Sequence, residues 1–216
     1  MTLDEPIGIL GGAFDPIHNG HLHLALELSK RLHLGDMRLL PSQYPLLKQT
    51  TGASIAQRYR MLQLALIPYP QLRLDTRELF AHRPLYSIDT LSLFRQEFPH
   101  RPLWFVIGMD NLHQLPQWHQ WHQLVEMTHL IVVNRPNYSL PTTTDIQQCL
   151  SVRLTEQVDH LRTHLQGLIH CITLPPQFIS STAVRQQLLQ GSLAADQLPP
   201  SVVKYIQQQK LYCHRA

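Results

Sequence analysis

The chain has 216 residues, of which 44% are hydrophobic and 15% charged. That is enough apolar material for a buried core and too little charge for a disordered polyelectrolyte, so a single domain over residues 1–216 is expected. The net charge of +3 with histidines neutral is too small for the dense basic stripe a nucleic-acid backbone demands, and it suits an anionic metabolite.

Met1 to Pro6 is acidic and has no apolar stretch, so no signal peptide is expected. Ile7 to Leu10 reads as a strand ending at Gly11-Gly12, and His21 to Leu34 as a helix with Leu22, Ala25, Leu28 and Leu32 on one stripe. Met37 to Leu40 is a second strand, closed by Pro41, and 41–53 reads as a loop. Ser54-Ile55-Ala56-Gln57 has the form of a capping box, in which Ser and Gln satisfy free amides at a helix start. That helix runs to about Ile67. Leu72 to Asp75 is a third strand, and Ser87 is placed to cap a helix ending near Phe98. Leu103 to Ile107 is a strongly apolar fourth strand broken by Gly108. A short helix at 118–125, a strand at 129–133, a polar loop at 134–144 and a helix at 154–166 follow. Ile169 to Leu174 is the sixth strand, and helices at 182–190 and 200–209 end the chain.

Cys149, Cys171 and Cys213 are odd in number and far apart, with no C-x-x-C, so neither a disulfide framework nor a zinc ribbon is expected. His119 and His122 stand three apart without Cys or acidic neighbours, and no metal-ligating set is expected from the protein. No apolar run reaches the roughly 18 residues of a membrane span. A cytoplasmic protein without nucleic-acid or membrane partners is the expectation, and its oligomeric state is not legible.

Apolar strands alternating with helices predict an α/β fold, a mostly parallel doubly wound sheet covered on both faces and finished by C-terminal helices. Ligands in such sheets bind outside the carboxyl ends of strands. That rule selects the segments after Leu10, Leu40, Asp75, Ile107 and Leu174.

The first of these is Gly11-Gly12-Ala13-Phe14-Asp15-Pro16-Ile17-His18-Asn19-Gly20-His21. The glycines allow tight turning and close approach of backbone amides to a ligand. His18 and His21 are spaced to lie side by side at a helix start, and Gly20 keeps the approach open. Two ring donors, free amides and the positive helix end converge there, which makes an anion site fit for a polyphosphate. The last segment, Phe178-Ile179-Ser180-Ser181-Thr182-Ala183-Val184-Arg185, offers hydroxyls for N-capping by Ser181 or Thr182. It also places Arg185 in the first helical turn, where a cation is slightly unfavourable unless an anion binds. After the fourth strand, Gly108-Met109-Asp110 sets a carboxylate where it can accept from ribose hydroxyls.

The first string resembles the nucleotidylyltransferase superfamily, marked by H-x-G-H after the first strand. In its longer form G-G-x-F-D-P-x-H-x-G-H it resembles the bacterial nicotinate mononucleotide adenylyltransferases. Residues 179–182 with Arg185 are similar to that family's I-S-S-T-x-x-R. There is neither a Rossmann G-x-G-x-x-G nor the G-K-[ST] of a P-loop. The resemblance implies a Rossmann-like nucleotidylyltransferase fold of the HIGH type. It also implies transfer of the adenylyl group of ATP to nicotinate mononucleotide, with Mg²⁺ brought by the ATP. Carried over residue by residue, it makes His18, His21 and Arg185 catalytic. The ATP site would comprise Gly12, Ala13, Phe14, His18, His21, Gly108, Asp110, Ile179, Ser180, Ser181, Thr182 and Arg185. On the substrate side, Trp118 would stack on the pyridine ring and the backbone amide of His119 would hold the carboxylate. Tyr86-Ser87 resembles the family's Tyr-Thr, with Ser87 keeping the hydroxyl, and Arg135 would meet the mononucleotide phosphate. Two departures stand out. Ala13 replaces a common Thr, and Tyr44-Pro45-Leu46-Leu47-Lys48 replaces P-P-H-[KR], keeping only the charge of Lys48. Bound ATP is expected to outweigh the helix end's half charge and favour the imidazolium of both histidines.

Other readings share these motifs. A nicotinamide mononucleotide or phosphopantetheine adenylyltransferase uses the same logic, as does an aminoacyl-tRNA synthetase core, although K-M-S-K-S is absent here. A non-catalytic nucleotide-binding regulator is a further class.

Overall fold

Six short apolar segments form strands because each is followed by a residue or turn that stops it and a helix that covers it. They are β1 (Ile7–Gly12), β2 (Asp36–Pro41), β3 (Leu72–Leu74), β4 (Leu103–Gly108), β5 (His129–Asn134) and β6 (Ile169–Thr173). The computed structural model describes residues 3–43, 52–134, 139–175 and 177–213. The sheet order is β3-β2-β1-β4-β5-β6, and every neighbouring pair is parallel. In β1, Ile9 stands opposite Arg38 on one side and Phe105 on the other.

Parallel strands buried on both faces need apolar side chains in both directions, and β1 and β4 supply them. Ile7, Ile9, Phe105 and Ile107 pack on one face, where α3 (Ser87–Glu97), α4 (Met109–Gln114), α5 (Trp121–Met127) and α6 (Thr144–Arg153) contribute Leu91, Phe94, Leu112, Leu124 and Leu150. Leu10, Trp104 and Val106 pack on the other. There α1 (Asn19–Arg31), α2 (Ile55–Leu66), α7 (Val158–Thr163), α8 (Ser181–Leu189) and α9 (Pro200–Gln208) contribute Leu22, Leu28, Met61, Leu161, Val184 and Ile206. This is a doubly wound, Rossmann-like architecture. Its strand order reverses between β1 and β4, which leaves a crevice at their carboxyl ends.

The Ser54 capping box is present: Gln57 N–H donates to Ser54 Oγ at 3.2 Å, and Ser54 N–H to Gln57 Oε1 at 2.8 Å. Three expectations change. The helix expected at 154–166 is only the short α7, and α6 precedes it at 144–153, where no helix was expected. In α6 only Ile146 and Leu150 are buried, so the stretch carries too sparse an apolar pattern to announce itself. The helix expected at 118–125 starts at Trp121, and α4 with a 3₁₀ turn at Leu115–Gln117 precedes it. Ser87 is the first helical residue of α3 rather than its cap. Tyr86 holds the cap position, its N–H donating to Asp89 Oδ2 at 3.0 Å. Among the described residues no helix is long and apolar enough to cross a membrane.

Candidate active site

The loop after β1 is held from below by buried polar groups. Phe14, with φ of 47° and 1% exposure, tucks its ring under Gly12. A Cβ at Gly12 would meet that ring at 3.2–3.4 Å, so the motif's second glycine is a space requirement. The Asp15 carboxylate accepts from Gly52 N–H at 2.6 Å, Ala53 N–H at 3.2 Å and Tyr212 Oη at 2.5 Å. Arg58 is fully buried. Its Nη1 donates to the carbonyls of Ala13 (2.8 Å) and Ser42 (2.7 Å), and its Nη2 to that of Gln43 (3.0 Å). Burial pulls the Arg58 guanidinium below its ordinary pKa, while the nearby Asp15 carboxylate opposes that. One cation thus ties the loops leaving β1 and β2 together at the strand-order reversal.

His18 is the N-cap of α1 rather than a residue on its face, and His21 is in its first turn. The His18 N–H donates to His21 Nδ1 at 3.3 Å, an imidazole version of the capping box. Because Nδ1 accepts, neutral His21 carries its proton on Nε2. The two rings stack with centroids 3.6 Å apart and planes 19° apart, and Phe14 meets His21 edge-on at 4.9 Å. His18 Nδ1 is enclosed beside Gly20 without a hydrogen-bond partner among the described residues, which leaves Nε2 as the nitrogen able to reach a ligand. A Cβ on Gly20 would come within 3.1 Å of that Nδ1 and 3.4 Å of Ile179 Cβ. Burial drives His18 down to a pKa of about 4. Without a ligand His18 is therefore neutral at pH 7, and desolvation, which the sequence does not report, opposes the imidazolium expected when ATP is bound.

The far end of the chain packs onto this loop. Ser180, not Ser181 or Thr182, caps α8, accepting from Ala183 N–H at 3.2 Å. That frees the next hydroxyl, and Ser181 Oγ donates to the Pro16 carbonyl at 3.2 Å. Arg185 lies in the second turn of α8. It donates through Nη1 to the Asp15 carbonyl at 2.7 Å and through Nη2 to Thr182 Oγ1 at 3.4 Å. Asn19 N–H donates to the Gln197 carbonyl at 2.8 Å, a second tie between the ends. The structure thus brings the sequence-selected segments around His18 and Arg185 together.

Beside them opens a cleft of about 330 Å³ at the ends of β1, β2 and β4. Its walls include Gly12, Ala13, Tyr86, Ser87, Trp118 and His119, all selected from sequence, together with Ser42, Glu78, Thr90, Phe105 and Asn111, which were not. Trp118 follows the 3₁₀ turn, sits edge-on to Phe105 at 6.3 Å, and has a buried Nε1 without a hydrogen-bond partner among the described residues. Tyr86 and His119 have ring centroids 4.4 Å apart. Gly108 caps α4, and a Cβ there would overlap Asp110 Oδ1, so the Asp110 carboxylate folds back over the glycine at the end of β4. Trp121 is buried as core and stacks on His122 at 3.7 Å. Lys48 and Arg135 lie outside the described residues. No three His, Cys, Asp or Glu side chains among the described residues are grouped to hold a metal ion.

Sequence reasoning missed Arg58, Tyr212 and Glu78. A signal existed for Arg58, which sits three and four residues before Met61 and Leu62 on the buried stripe of α2. An arginine on an apolar stripe implies several buried acceptors.

Residues 9–187 match the model of the cytidylyltransferase-like family. A protein of Aeromonas hydrophila subsp. hydrophila, named as a probable nicotinate-nucleotide adenylyltransferase, is 40% identical over 210 residues, covering 97% of this chain and 98% of the relative. One of Legionella pneumophila with the same name is 38% identical over 207 residues, covering 95% and 98%. Among solved structures, the nicotinic acid mononucleotide adenylyltransferase of Plasmodium falciparum complexed with NaAD superposes with a TM-score of 0.73. It is 19% identical, over 97% of this chain and 98% of that one, a likeness of fold.

Proposed function

This chain belongs to the cytidylyltransferase-like family and, within it, to the nicotinate-nucleotide adenylyltransferases, and on that premise we propose how its residues carry out the reaction. It transfers the adenylyl group of ATP to nicotinate mononucleotide, giving nicotinate adenine dinucleotide and pyrophosphate. The observation that carries the residue assignments is the convergence of three features at one strand-order reversal. These are the His18–His21 pair, the Arg185 helix start and the Trp118 cleft.

ATP lies over the loop after β1, its triphosphate against His18, His21 and the start of α8, and its ribose toward Asp110. The backbone of Gly12, Ala13 and Phe14 and the segment Ile179 to Thr182 line that path. Nicotinate mononucleotide fills the cleft, with its ring on Trp118 and its carboxylate at the Ser87 hydroxyl and the His119 amide. By the family resemblance, Arg135 is assigned to its phosphate and Lys48 supplies a further positive charge. That phosphate attacks the α-phosphorus of ATP, the bond to the β-phosphate oxygen breaks, and pyrophosphate leaves. A phosphate monoester loses its second proton near pH 6, so at neutral pH the nucleophile needs no general base. The protein aligns two anions and stabilises charge on the leaving group. His21 donates through Nε2–H, the tautomer set by its Nδ1 bond to the His18 backbone. Neutral His18 donates likewise, and the charge of bound ATP opposes the desolvation that holds its pKa near 4. Arg185, aimed by the Asp15 carbonyl, neutralises the β/γ end. A divalent cation accompanies the triphosphate, and we assign Mg²⁺ to that role; it would come with the nucleotide rather than sit in a protein cage and would supply charge neutralisation. The whole chain acts as one nucleotidylyltransferase domain, and nucleotide substrates with three unpaired cysteines suit a reducing cytoplasm.

The test is pyrophosphate release from ATP and nicotinate mononucleotide by the intact protein and by His18→Ala. Loss of the donor should lower kcat by about 10²–10⁴. Turnover within twofold of the parent would remove His18 from the mechanism.

A further inference from the structure

Glu78 is an acid placed where the described reaction has no use for one. It follows β3 and lines the same cleft as Ser87, Trp118 and His119. Its Oε1 accepts from Thr90 Oγ1 at 2.7 Å, and its other oxygen has no hydrogen-bond partner among the described residues. Thr90 is fully buried and stands one turn beyond Ser87 on α3, so the two hydroxyls face the cleft in succession. The charges acting on Glu78 do not neutralise it. Asp75 disfavours its ionisation, and Arg77, which favours it, is already committed to Asp75 (2.8 and 2.9 Å) and Glu97 (2.9 Å). On α3, Asp89 is turned to Arg83 and the Tyr86 amide. Across the cleft the other titratable groups are Tyr86 and His119. Burial is the dominant effect and pushes Glu78 up to about 7.

We propose that Glu78 is a specificity-determining residue for the pyridine substituent, donating a hydrogen bond to the substrate carboxylate when protonated and favouring the carboxamide when ionised. The reasoning is donor and acceptor counting. A nicotinate carboxylate only accepts, so beside it Glu78 must carry a proton, and an ionised Glu78 repels it. A nicotinamide group has an NH₂ that an ionised Glu78 accepts from. Thr90 is the positioning residue: its hydroxyl occupies Oε1, leaves the other oxygen for a ligand in the cleft that Glu78 lines, and favours the ionised form. This inference rests on the reading of the cleft as the mononucleotide site.

The experiment measures kcat/KM for nicotinate and nicotinamide mononucleotides across pH 6 to 9 and takes their ratio. Ionisation of the substrate phosphate is common to both and cancels. With a single ionisation near 7, the acid-to-amide ratio should fall at least about tenfold between pH 6.5 and 8.5. Glu78→Gln, neutral at every pH, should make the ratio flat. Thr90→Val, which removes the bond favouring ionisation, should move the fall to higher pH. A flat ratio in the parent protein overturns the proposal, as does a Glu78→Gln protein that keeps the parent's fall. An equal rise in KM for both substrates in Glu78→Gln also overturns it, because Glu78 would then touch a shared part such as the ribose. The parent measurement decides the matter even if neither variant folds. No pyrophosphate from either mononucleotide at any pH would instead sink the adenylyltransferase reading beneath it.

Discussion

Gly20→Ala isolates the placement of His18 from the stability of the fold. Replacing glycine by alanine in a helix gains about 0.5–1 kcal/mol by restricting the unfolded chain. The added Cβ, however, would sit 3.1 Å from His18 Nδ1, 3.2 Å from its Cε1 and 3.4 Å from Ile179 Cβ. Ordinary contact requires the imidazole to retreat by about 0.3–0.5 Å, at an off-rotamer cost of about 0.5–1.5 kcal/mol. The two stability effects nearly cancel, so urea denaturation should give a free energy within about 1 kcal/mol of the parent. Catalysis should respond more. A displacement of 1 Å costs on the order of 10² in rate, so a third to a half of that distance costs about 5- to 10-fold in kcat. His18 is stacked on His21 at 3.6 Å, so the shift reaches both donors. The assay is a double-mutant cycle on pyrophosphate release with His18→Ala. The Gly20→Ala loss should vanish in the His18→Ala background, a coupling of about 1–1.4 kcal/mol. An equal loss in both backgrounds would show that Gly20 acts elsewhere and would refute the steric reasoning.

Arg58→Met keeps the bulk on the α2 stripe but leaves the Ala13, Ser42 and Gln43 carbonyls without their donor, and should cost about 3–5 kcal/mol by urea denaturation. A loss under 1 kcal/mol would mean that water replaces the guanidinium freely. Stability should also fall on mild acidification. His18 and His129 are both held near pKa 4 by burial, so below their unfolded value of 6.5 the unfolded chain binds two more protons than the folded one. Glu78 has the opposite sign, since its folded value near 7 lies above its unfolded 4.5 and it favours the folded state in acid. The net difference is one proton between pH 4.5 and 6.5, a loss of about 1.4 kcal/mol per unit as pH falls. In Glu78→Gln the slope should double, and a pH-independent urea midpoint in the parent would contradict the burial of the histidines.

The architecture was legible in the sequence, and so were the two segments, around His18 and Arg185, that the fold brings into contact. Apolar runs such as Leu103 to Ile107, punctuated by glycine and separated by helical stripes, can bury both faces only as a parallel sheet with helices on each side. The two motif strings carry their chemistry locally: Gly12 and Gly20 are required by side chains two residues away, Phe14 and His18. Weakly patterned pieces were not legible. In α6 only Ile146 and Leu150 face the core, and the cap of α8 fell on Ser180, where three consecutive hydroxyl residues compete and only Ser180 has the extended backbone that lets its oxygen reach Ala183 N–H. What tertiary structure alone decided is the polar interior beneath and beside the site. Asp15 meets Tyr212, 197 residues away, and Arg58 gathers carbonyls from two loops. Glu78 becomes a cleft acid because β3 and α3 enclose it. Desolvation, which sets the protonation of His18 and Glu78, depends on which segments pack over a group, and that is a property of the folded chain rather than of neighbours along it.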